Sequence, residues 1–453
     1  MENIAFTLSS VIFAITFIII FSEKIHRTVI ALLGAIIMVG AGMMYHFYEP
    51  AQALAAIDFN TIGLLLGMMI IVAILEKTGF FQYLAIVAAK KTKGDPWKLV
   101  VVLGTITTLV SLVLDNVTTV VLIAPVTIII ARLLKISPVP LLMSEALLSD
   151  TGGVATLVGD PPNIMIGSAA HFSFNDFLIH VAPIVVVAWF ATLITLKLVF
   201  RKEMKEKPQD IENLMKMDEK EALKDPTTLK KIAAVLSLVV VLFFLHSSLH
   251  MPPSMVALIG ASLALIFVTP KKCPQPILEK VEWSVLLFFA ALFVIVGGLE
   301  HAGVLEVIAH HIAGLAHGNI VVAAIAILWI SAIMSAIVDN IPFTVAMIPV
   351  IGYLETQGVD TNLLWWALAL GVGFGGNATP IGSTANVVVV SKSEQTDTPI
   401  TFKSWLKSGT SAALATLIVA TIAILLFSDF LSKPTPGQKM YQNSGATETV
   451  SEH

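Results

Sequence analysis

Apolar residues in this chain come in runs of roughly 17–24, the length a helix needs to cross a bilayer. The runs fall at about 4–22, 28–46, 59–77, 97–114, 117–134, 139–170 and 177–200, and again at about 230–246, 254–270, 283–300, 319–337, 341–356, 362–390 and 408–428. Two pairs of runs stand apart. Only Asp115 and Asn116 separate 97–114 from 117–134, and a similarly short link with Asp339 and Asn340 separates 319–337 from 341–356. Such links are too short for ordinary surface loops and predict two re-entrant hairpins. Two other runs are interrupted. Gly152-Gly153 and Pro161-Pro162 bracket a break in 139–170; Gly375-Gly376, Pro380 and Gly382 do the same in 362–390. Non-helical backbone at membrane depth is tolerated only inside protein or beside water.

The pattern occurs twice. LDNVTTVVLIAPV at 114–126 matches VDNIPFTVAMIPV at 338–350, and GGVATLVGDPPN at 152–163 matches GGNATPIGSTAN at 375–386. The match extends outward. Ala31-Leu-Leu-Gly34 pairs with Ala257-Leu-Ile-Gly260, Asp58 with Glu282, Leu75-Glu76 with Leu299-Glu300, and Gly79 with Gly303. Duplicated, interrupted membrane segments carrying acids are the pattern of a secondary transporter. The expected fold is an all-α polytopic membrane protein of two inverted repeats with discontinuous helices. Each repeat has five spans plus a hairpin. Repeat 1 covers 1–200, with its hairpin at about 97–134 and broken helix at 139–170. A charged linker, 201–229, follows. Repeat 2 covers 230–432, with its hairpin at about 319–356 and broken helix at 362–390. A polar tail, 433–453, is expected to be disordered.

Composition supports the membrane reading. Hydrophobic residues make up 56% and charged residues 13%, against about 25% charged in soluble domains; the mean hydropathy is +0.88. A net charge of -4 argues against a nucleic-acid partner, and the one cysteine, Cys273, excludes an internal disulfide framework or a cysteine metal cluster. The first run lacks a basic n-region and a small-residue cleavage site, so it is expected to be a span, not a signal peptide.

With both hairpins re-entrant, 25 of the 27 basic residues fall on one side, and the other two, Lys433 and Lys439, lie in the tail. The positive-inside rule makes that side cytoplasmic and both termini external. Five spans per repeat then invert the second. Segments 79–91 and 303–314 read as short interfacial helices. His310, His311 and His317 fall on the outer side, where surface histidines are the simpler reading than a metal site.

Helix ends at the two breaks would offer free N–H groups to anions and free carbonyls to cations, with the hairpin tips facing them. Asp115 and Asp339 can each be the N-cap of the helix after the tip. An ionisable group at membrane depth also carries a functional expectation. Asn116, Asn340, Asn163, Asn377 and Asn386 can supply amide donors or carbonyl ligands. Thr118, Thr119, Thr156, Thr379, Ser383 and Thr384 can supply hydroxyls, although membrane-helix hydroxyls often only bond back to their own helix. Gly153 and Gly376 complete the candidate binding set. Candidate sodium ligands are Asp115, Asn116, Asp339 and Asn340; no other cofactor is expected. Glu145, Asp150 and Asp160 correspond to Leu368, Gly373 and Ser383 in the second copy. The first half-site thus carries three extra acids, which with Asp115 and Asp339 are candidates for coupling to protons or sodium. Asp160, beside the break, is the first choice among the three.

At these motifs the chain resembles the ion transporter superfamily, which includes arsenical-resistance permeases, NhaD-type sodium/proton antiporters, the melanosomal P protein and divalent anion/sodium symporters. LDNVTTVVLIAPVTI with GGVATLVGDPPNIMIG is most similar to the arsenical permease and P protein-like branch. The resemblance implies a scaffold domain, a mobile domain with two hairpins, elevator-type movement and a homodimer. The dicarboxylate branch has Ser-Asn-Thr at its hairpin tips. Here the matching residues are Asp115-Asn116-Val117 and Asp339-Asn340-Ile341, a change that disfavours a dianion and favours a cation or a neutral oxyacid.

The expectation is a secondary active ion transporter in the cytoplasmic membrane of a prokaryote, surrounded by lipid and coupled to protons or sodium. Its substrate would be an inorganic ion or small oxyacid, by arsenite or antimonite efflux or by sodium/proton exchange. A lone cysteine offers no thiol site for As(III), so any such recognition would use hydroxyls and amides. The alternatives are a sodium-coupled di- or tricarboxylate carrier and a passive channel. No HExxH, GxSxG or GxxxxGK motif points to an enzyme.

Overall fold

A computed structural model describes residues 2–21, 24–269, 273–307, 309–310 and 319–439. His311, His317, positions 440–453 of the tail and part of the expected interfacial helix at 303–314 lie outside them.

Helices begin where the sequence supplies caps. Asp95, Asp115, Asp225 and Asn319 each accept a hydrogen bond from a backbone N–H two or three residues on, which satisfies a donor the helix itself leaves orphaned. Pro96 and Pro226 then occupy the first helical position, where a missing N–H costs nothing. The main helices are α1 (Glu2–Phe21), α2 (Arg27–Tyr45), α3 (Phe59–Lys77), α4 (Pro96–Ser111), α5 (Asn116–Leu134), α6 (Val139–Gly153), α7 (Pro161–Ala169) and α8 (Ala182–Val199). After the linker come α9 (Pro226–Leu245), α10 (Pro253–Val268), α11 (Trp283–His301), α12 (Ile320–Ile337), α13 (Asn340–Thr356), α14 (Asn362–Gly376), α15 (Thr384–Ser393) and α16 (Ser411–Leu431). No strand occurs among the described residues, and nine of their helices are long and apolar enough to cross a membrane.

Most of these bounds follow the apolar runs to within a few residues, and Phe80–Thr92 is the helix expected at 79–91. The run 177–200 is divided: Phe174–His180 and Ala182–Val199 meet at Val181, with Pro183 in the first turn of the second helix.

Packing sorts the helices into an interior and a rim. Helix α2 packs on α11, α3 on α10, α4 on α6 and α12 on α14. Every residue from Pro140 to Gly153 and from Asn362 to Gly376 is buried, as expected of helices with no polar face toward solvent. The two helices that lead into the breaks therefore form the interior. On the rim, Ile36, Phe190, Leu198, Val241 and Leu426 are exposed. An apolar belt of that extent is a lipid-facing surface, and the chain is a multi-pass membrane protein.

The linker is partly helical, with an α-turn at Ile211–Lys216 and 3-10 turns at Glu203–Lys205 and Glu219–Ala222. It is bound along its length. The Gln209 N–H donates to the Leu134 carbonyl and the Lys224 N–H to the Thr78 carbonyl, both at 2.9 Å, and Lys90 pairs with Glu219 at 2.5 Å.

The tail departs from expectation. Thr435 is fully buried and its hydroxyl donates to Asp176 Oδ2 at 3.1 Å. Gln438 Nε2 donates to Asn362 Oδ1 at 2.7 Å and to the Ala170 carbonyl at 3.2 Å. Residues 433–439 find partners here because the chain after α7 and the start of α14 leave polar acceptors that a polar segment can satisfy. Their composition alone resembles that of a solvated tail.

Candidate functional site

The two hairpin tips are built alike. Asp115 caps α5, accepting from the Thr118 N–H at 2.8 Å and from the Thr118 hydroxyl at 2.7 Å. Asp339 caps α13, accepting from the Ile341 N–H at 3.5 Å. Both aspartates are thus N-caps, and the residue after each is a buried asparagine pointing inward.

The breaks repeat a second construction. Asn163 Nδ2 donates to the carbonyls of Gly153, Val154 and Thr156 at 3.4, 3.0 and 2.8 Å. Asn386 Nδ2 donates to the carbonyls of Gly376 and Thr379 at 2.9 and 3.1 Å. An atom ringed by carbonyls must be the amide nitrogen. The Oδ1 atoms of Asn163 and Asn386 are therefore the free ends, and both are buried without a hydrogen-bond partner. Thr156 and Thr379 donate their hydroxyls to the Leu112 and Ala336 carbonyls, at the ends of the first hairpin arms. The glycines allow the loops to close. A Cβ on Gly153 would lie 2.6 Å from the Gly159 carbonyl oxygen, and one on Gly376 would lie 2.9 Å from that of Gly382.

Between tips and breaks lies an acidic cluster. Asn116 Nδ2 donates to Asp150 Oδ1 at 2.8 Å and approaches Asp160 Oδ1 at 3.4 Å. From the other hairpin, Asn340 Nδ2 reaches the two Asp160 oxygens at 3.4 and 3.5 Å. Ser383, from the second break, hydrogen-bonds Asp150. Asp160 is 1% exposed and Asp150 2%, so repulsion between these carboxylates acts in a low-dielectric interior, and a cation or proton placed between them relieves it.

Asp339 has a partner of another kind. Arg27 Nη1 donates to Asp339 Oδ2 at 2.6 Å and to Thr384 Oγ1 at 3.1 Å, and Thr384 donates to the same carboxylate oxygen at 3.1 Å. Arg27 was not among the site residues expected from sequence. There it counted only as one of many basic residues at span ends, although it is the first residue of a span whose matching residue, Pro253, is uncharged. Glu282, at the start of α11, interacts electrostatically with both Asp115 and Arg27.

Other expected residues serve elsewhere. Glu145 is outside the cluster; it bonds the Thr127 hydroxyl on α5, and its Oε2 is buried without a partner. Asn377 donates to Thr151 Oγ1 at 3.1 Å and to the Leu147 carbonyl at 3.3 Å, tying α14 to α6. The Thr119 hydroxyl bonds back to the Asp115 carbonyl within its own helix. Ser111 and Ser335, which sequence reading passed over, donate to the Ser149 and Val372 carbonyls and join each hairpin to its buried helix. His310 lies beside the Tyr353 ring, and among the described residues no group of three or more His, Cys, Asp or Glu is placed to hold a metal ion.

The asparagine clips lead to a stability test. Asn163→Ala leaves three buried carbonyls without that donor, and Asn386→Ala leaves two. Each is expected to lower stability by about 2–3 kcal/mol, seen as a reduced thermal midpoint of the detergent-solubilised protein. An unchanged midpoint in both would remove the clip role.

Comparison with known proteins places this architecture among transporters. The family described as citrate transporter (CitMHS) matches residues 17–371. A 46 kDa membrane protein of Mycobacterium leprae is 39% identical over 92% of this chain and 97% of its own length. An uncharacterized transporter of Mycobacterium tuberculosis is 41% identical with the same coverage. The P protein of Sus scrofa is 32% identical over 93% of this chain, which spans 59% of that longer protein. Among solved structures, the YdaH transporter of Alcanivorax borkumensis aligns with a TM-score of 0.57 at 16% identity, covering 87% of this chain and 90% of that one. That likeness concerns the fold.

Proposed function

The chain belongs to the CitMHS citrate transporter family and is a multi-pass membrane transporter, and on that premise we propose that it is a secondary active carrier whose acidic cluster binds the coupling cation. Alternating access exposes the cluster to one side of the membrane at a time. The coupling cation is a proton or sodium, and sodium/proton exchange is the reading that the charge of the site supports best. The observation that carries it is the convergence of Asn116 and Asn340, one from each hairpin tip, on the buried carboxylate of Asp160. A group reached from both tips is placed to respond to movement of either. The unpartnered Oδ1 atoms of Asn163 and Asn386 supply further neutral oxygen ligands, the hard donors that sodium prefers.

In this reading the halves are inverted repeats, the hairpins move with the buried helices as an elevator, the protein is a homodimer, and both termini lie outside. A second reading, a cation-coupled carrier of citrate-like anions, is favoured by the family's description. A tricarboxylate entering beside Asp115, Asp150 and Asp160 would need accompanying cations to offset the repulsion. Efflux of a small neutral oxyacid is consistent with the same amides and hydroxyls.

The test is dissipation of a pH gradient in everted vesicles on adding sodium, lithium or potassium, with Asp115→Asn as the control. Sodium- or lithium-driven dissipation that is lost in Asp115→Asn is the expected result. No response to any cation overturns the exchange reading. Citrate uptake or As(III) efflux in the same vesicles then decides between the other two.

A further inference from the structure

Five ion pairs occur among the described residues, and four of them involve none of the candidate site residues: Lys90–Glu219, Lys135–Asp210, Lys280–Glu76 and, within one turn of the linker, Lys216–Glu212. The fifth, Arg27–Asp339, enters the site. Its two ends belong to different elements, far apart in the chain. Arg27 begins α2, which packs on α1 and α11, and its guanidinium carbon sits 5.2 Å from the centroid of the Phe288 ring on α11. Asp339 caps α13, the second hairpin's returning arm, and Thr384 begins α15, the helix after the second break. The pair is partly shielded, with side chains 29% and 16% exposed, so it is stronger than a surface pair and can still be opened.

The arrangement is one-sided. Asp115, the matching carboxylate of the first tip, has no ion pair among the described residues and rests on its own helix through Thr118. Arg27 likewise has no counterpart. In the register that aligns Ala31-Leu-Leu-Gly34 with Ala257-Leu-Ile-Gly260, the matching residue is Pro253. An ion pair of this kind can therefore form at one of the two tips.

We propose that Arg27 is a tethered cation that occupies the Asp339 carboxylate in this state, so that a transported cation must displace it, and that it thereby latches α2 to the second hairpin tip. The proposal rests on the reading that the acidic cluster binds a cation. Arg27 is a positioning residue in this scheme. Its guanidinium competes for one of the carboxylates that would otherwise face the ion, and the competition ends when the start of α2 and the second hairpin tip move apart.

Two measurements test it. In everted vesicles carrying the full chain, Arg27→Gln is expected to lower the apparent KM for sodium about five- to tenfold, with Arg27→Lys intermediate, because removing an internal competitor strengthens the external one. A purely structural role for Arg27 would instead lower turnover with no fall in KM, and that result overturns the proposal. The second measurement does not depend on sodium transport. In detergent, purified Arg27→Ala protein is expected to gain thermal stability from low millimolar guanidinium, which fills the vacated place, while Arg27→Ala/Asp339→Asn gains none. Absence of that difference also overturns the proposal. If the guanidinium effect is present and wild-type protein shows no sodium response, the latch stands and the exchange reading falls.

Discussion

Asp160→Asn is expected to abolish coupled transport while leaving the protein folded. Asp160 is the carboxylate that both hairpin-tip amides approach, and it is 1% exposed. Asparagine keeps the shape and one acceptor oxygen, so the Asn116 and Asn340 contacts can persist. What is lost is the charge at the centre of the cluster. A buried charge deprived of its partner is worth about 3 kcal/mol or more, which corresponds to a loss of at least roughly 100-fold in cation-driven flux. Glu145→Gln is the matched control. Glu145, on α6, is also buried but is held by Thr127 outside the cluster, and its substitution is expected to change flux by no more than a few-fold. The measurement is initial flux in proteoliposomes, with the elution profile and thermal midpoint of each variant recorded beside it. Wild-type flux in Asp160→Asn would remove the cluster from the coupling mechanism. Equal losses in both variants would point to general damage to the packing of the first repeat instead.

Gly153→Ala is the second large effect expected, and it acts through the backbone. The added Cβ would meet the Gly159 carbonyl oxygen at 2.6 Å and the Ser111 hydroxyl at 3.3 Å. The serine can rotate away. The carbonyl cannot, because the loop is closed by Asn163 and by the Gly159 N–H donating to the Thr156 hydroxyl at 3.0 Å. Relieving the clash opens the break and displaces Asp160, so a loss of about 1–3 kcal/mol in stability and of most transport is expected. Gly40→Ala gives the contrast. A Cβ at Gly40 meets nothing within 4 Å, and alanine is the better helix former by roughly 1 kcal/mol, so that variant is expected to be neutral or slightly stabilised. A thermal melt of the two proteins side by side decides it. Equal midpoints would mean the break is looser than its packing suggests.

Much of this arrangement is legible in the sequence, because membrane burial makes polar residues expensive and therefore conspicuous. The Asp115-Asn116 and Asp339-Asn340 tips stand out as the only polar residues between long apolar arms. The Gly-Gly and Pro-Pro pairs stand out as helix breakers, and helices end at Gly153 and Gly376 where these imply. The choice of Asp160 among the three extra acids follows from its place beside a break. Pairings between distant segments were not legible. Arg27 looks like one more basic residue at a membrane boundary until the fold brings it to Asp339, which lies 312 positions away. Glu145 and Asp150 look equivalent on one helix, five residues apart. Facing different neighbours, one joins Thr127 and the other joins Asn116. The contacts of residues 433–439 were hidden for the same reason, since their partners, Asp176 and Asn362, belong to elements far apart in the chain.

The convergence on Asp160 also bears on how the chain is made. Asn340 follows Asp160 by 180 residues, and Asn377 follows its partner Thr151 by 226. At about 5–20 residues per second, the ribosome needs roughly 10–40 seconds to deliver Asn340 after Asp160 has emerged. For that interval the first half holds Asp150 and Asp160 in or beside the bilayer with only Asn116 to bind them. Helix α6, buried on every side in the finished protein, then packs on α4, α5 and α8 but lacks α14 and α15. Insertion of the first half is thus provisional, and its charged segment can settle only when α13 and α14 arrive. A ribosome stalled between the halves would leave an acid-bearing, incompletely packed intermediate in the membrane, a natural substrate for membrane quality control.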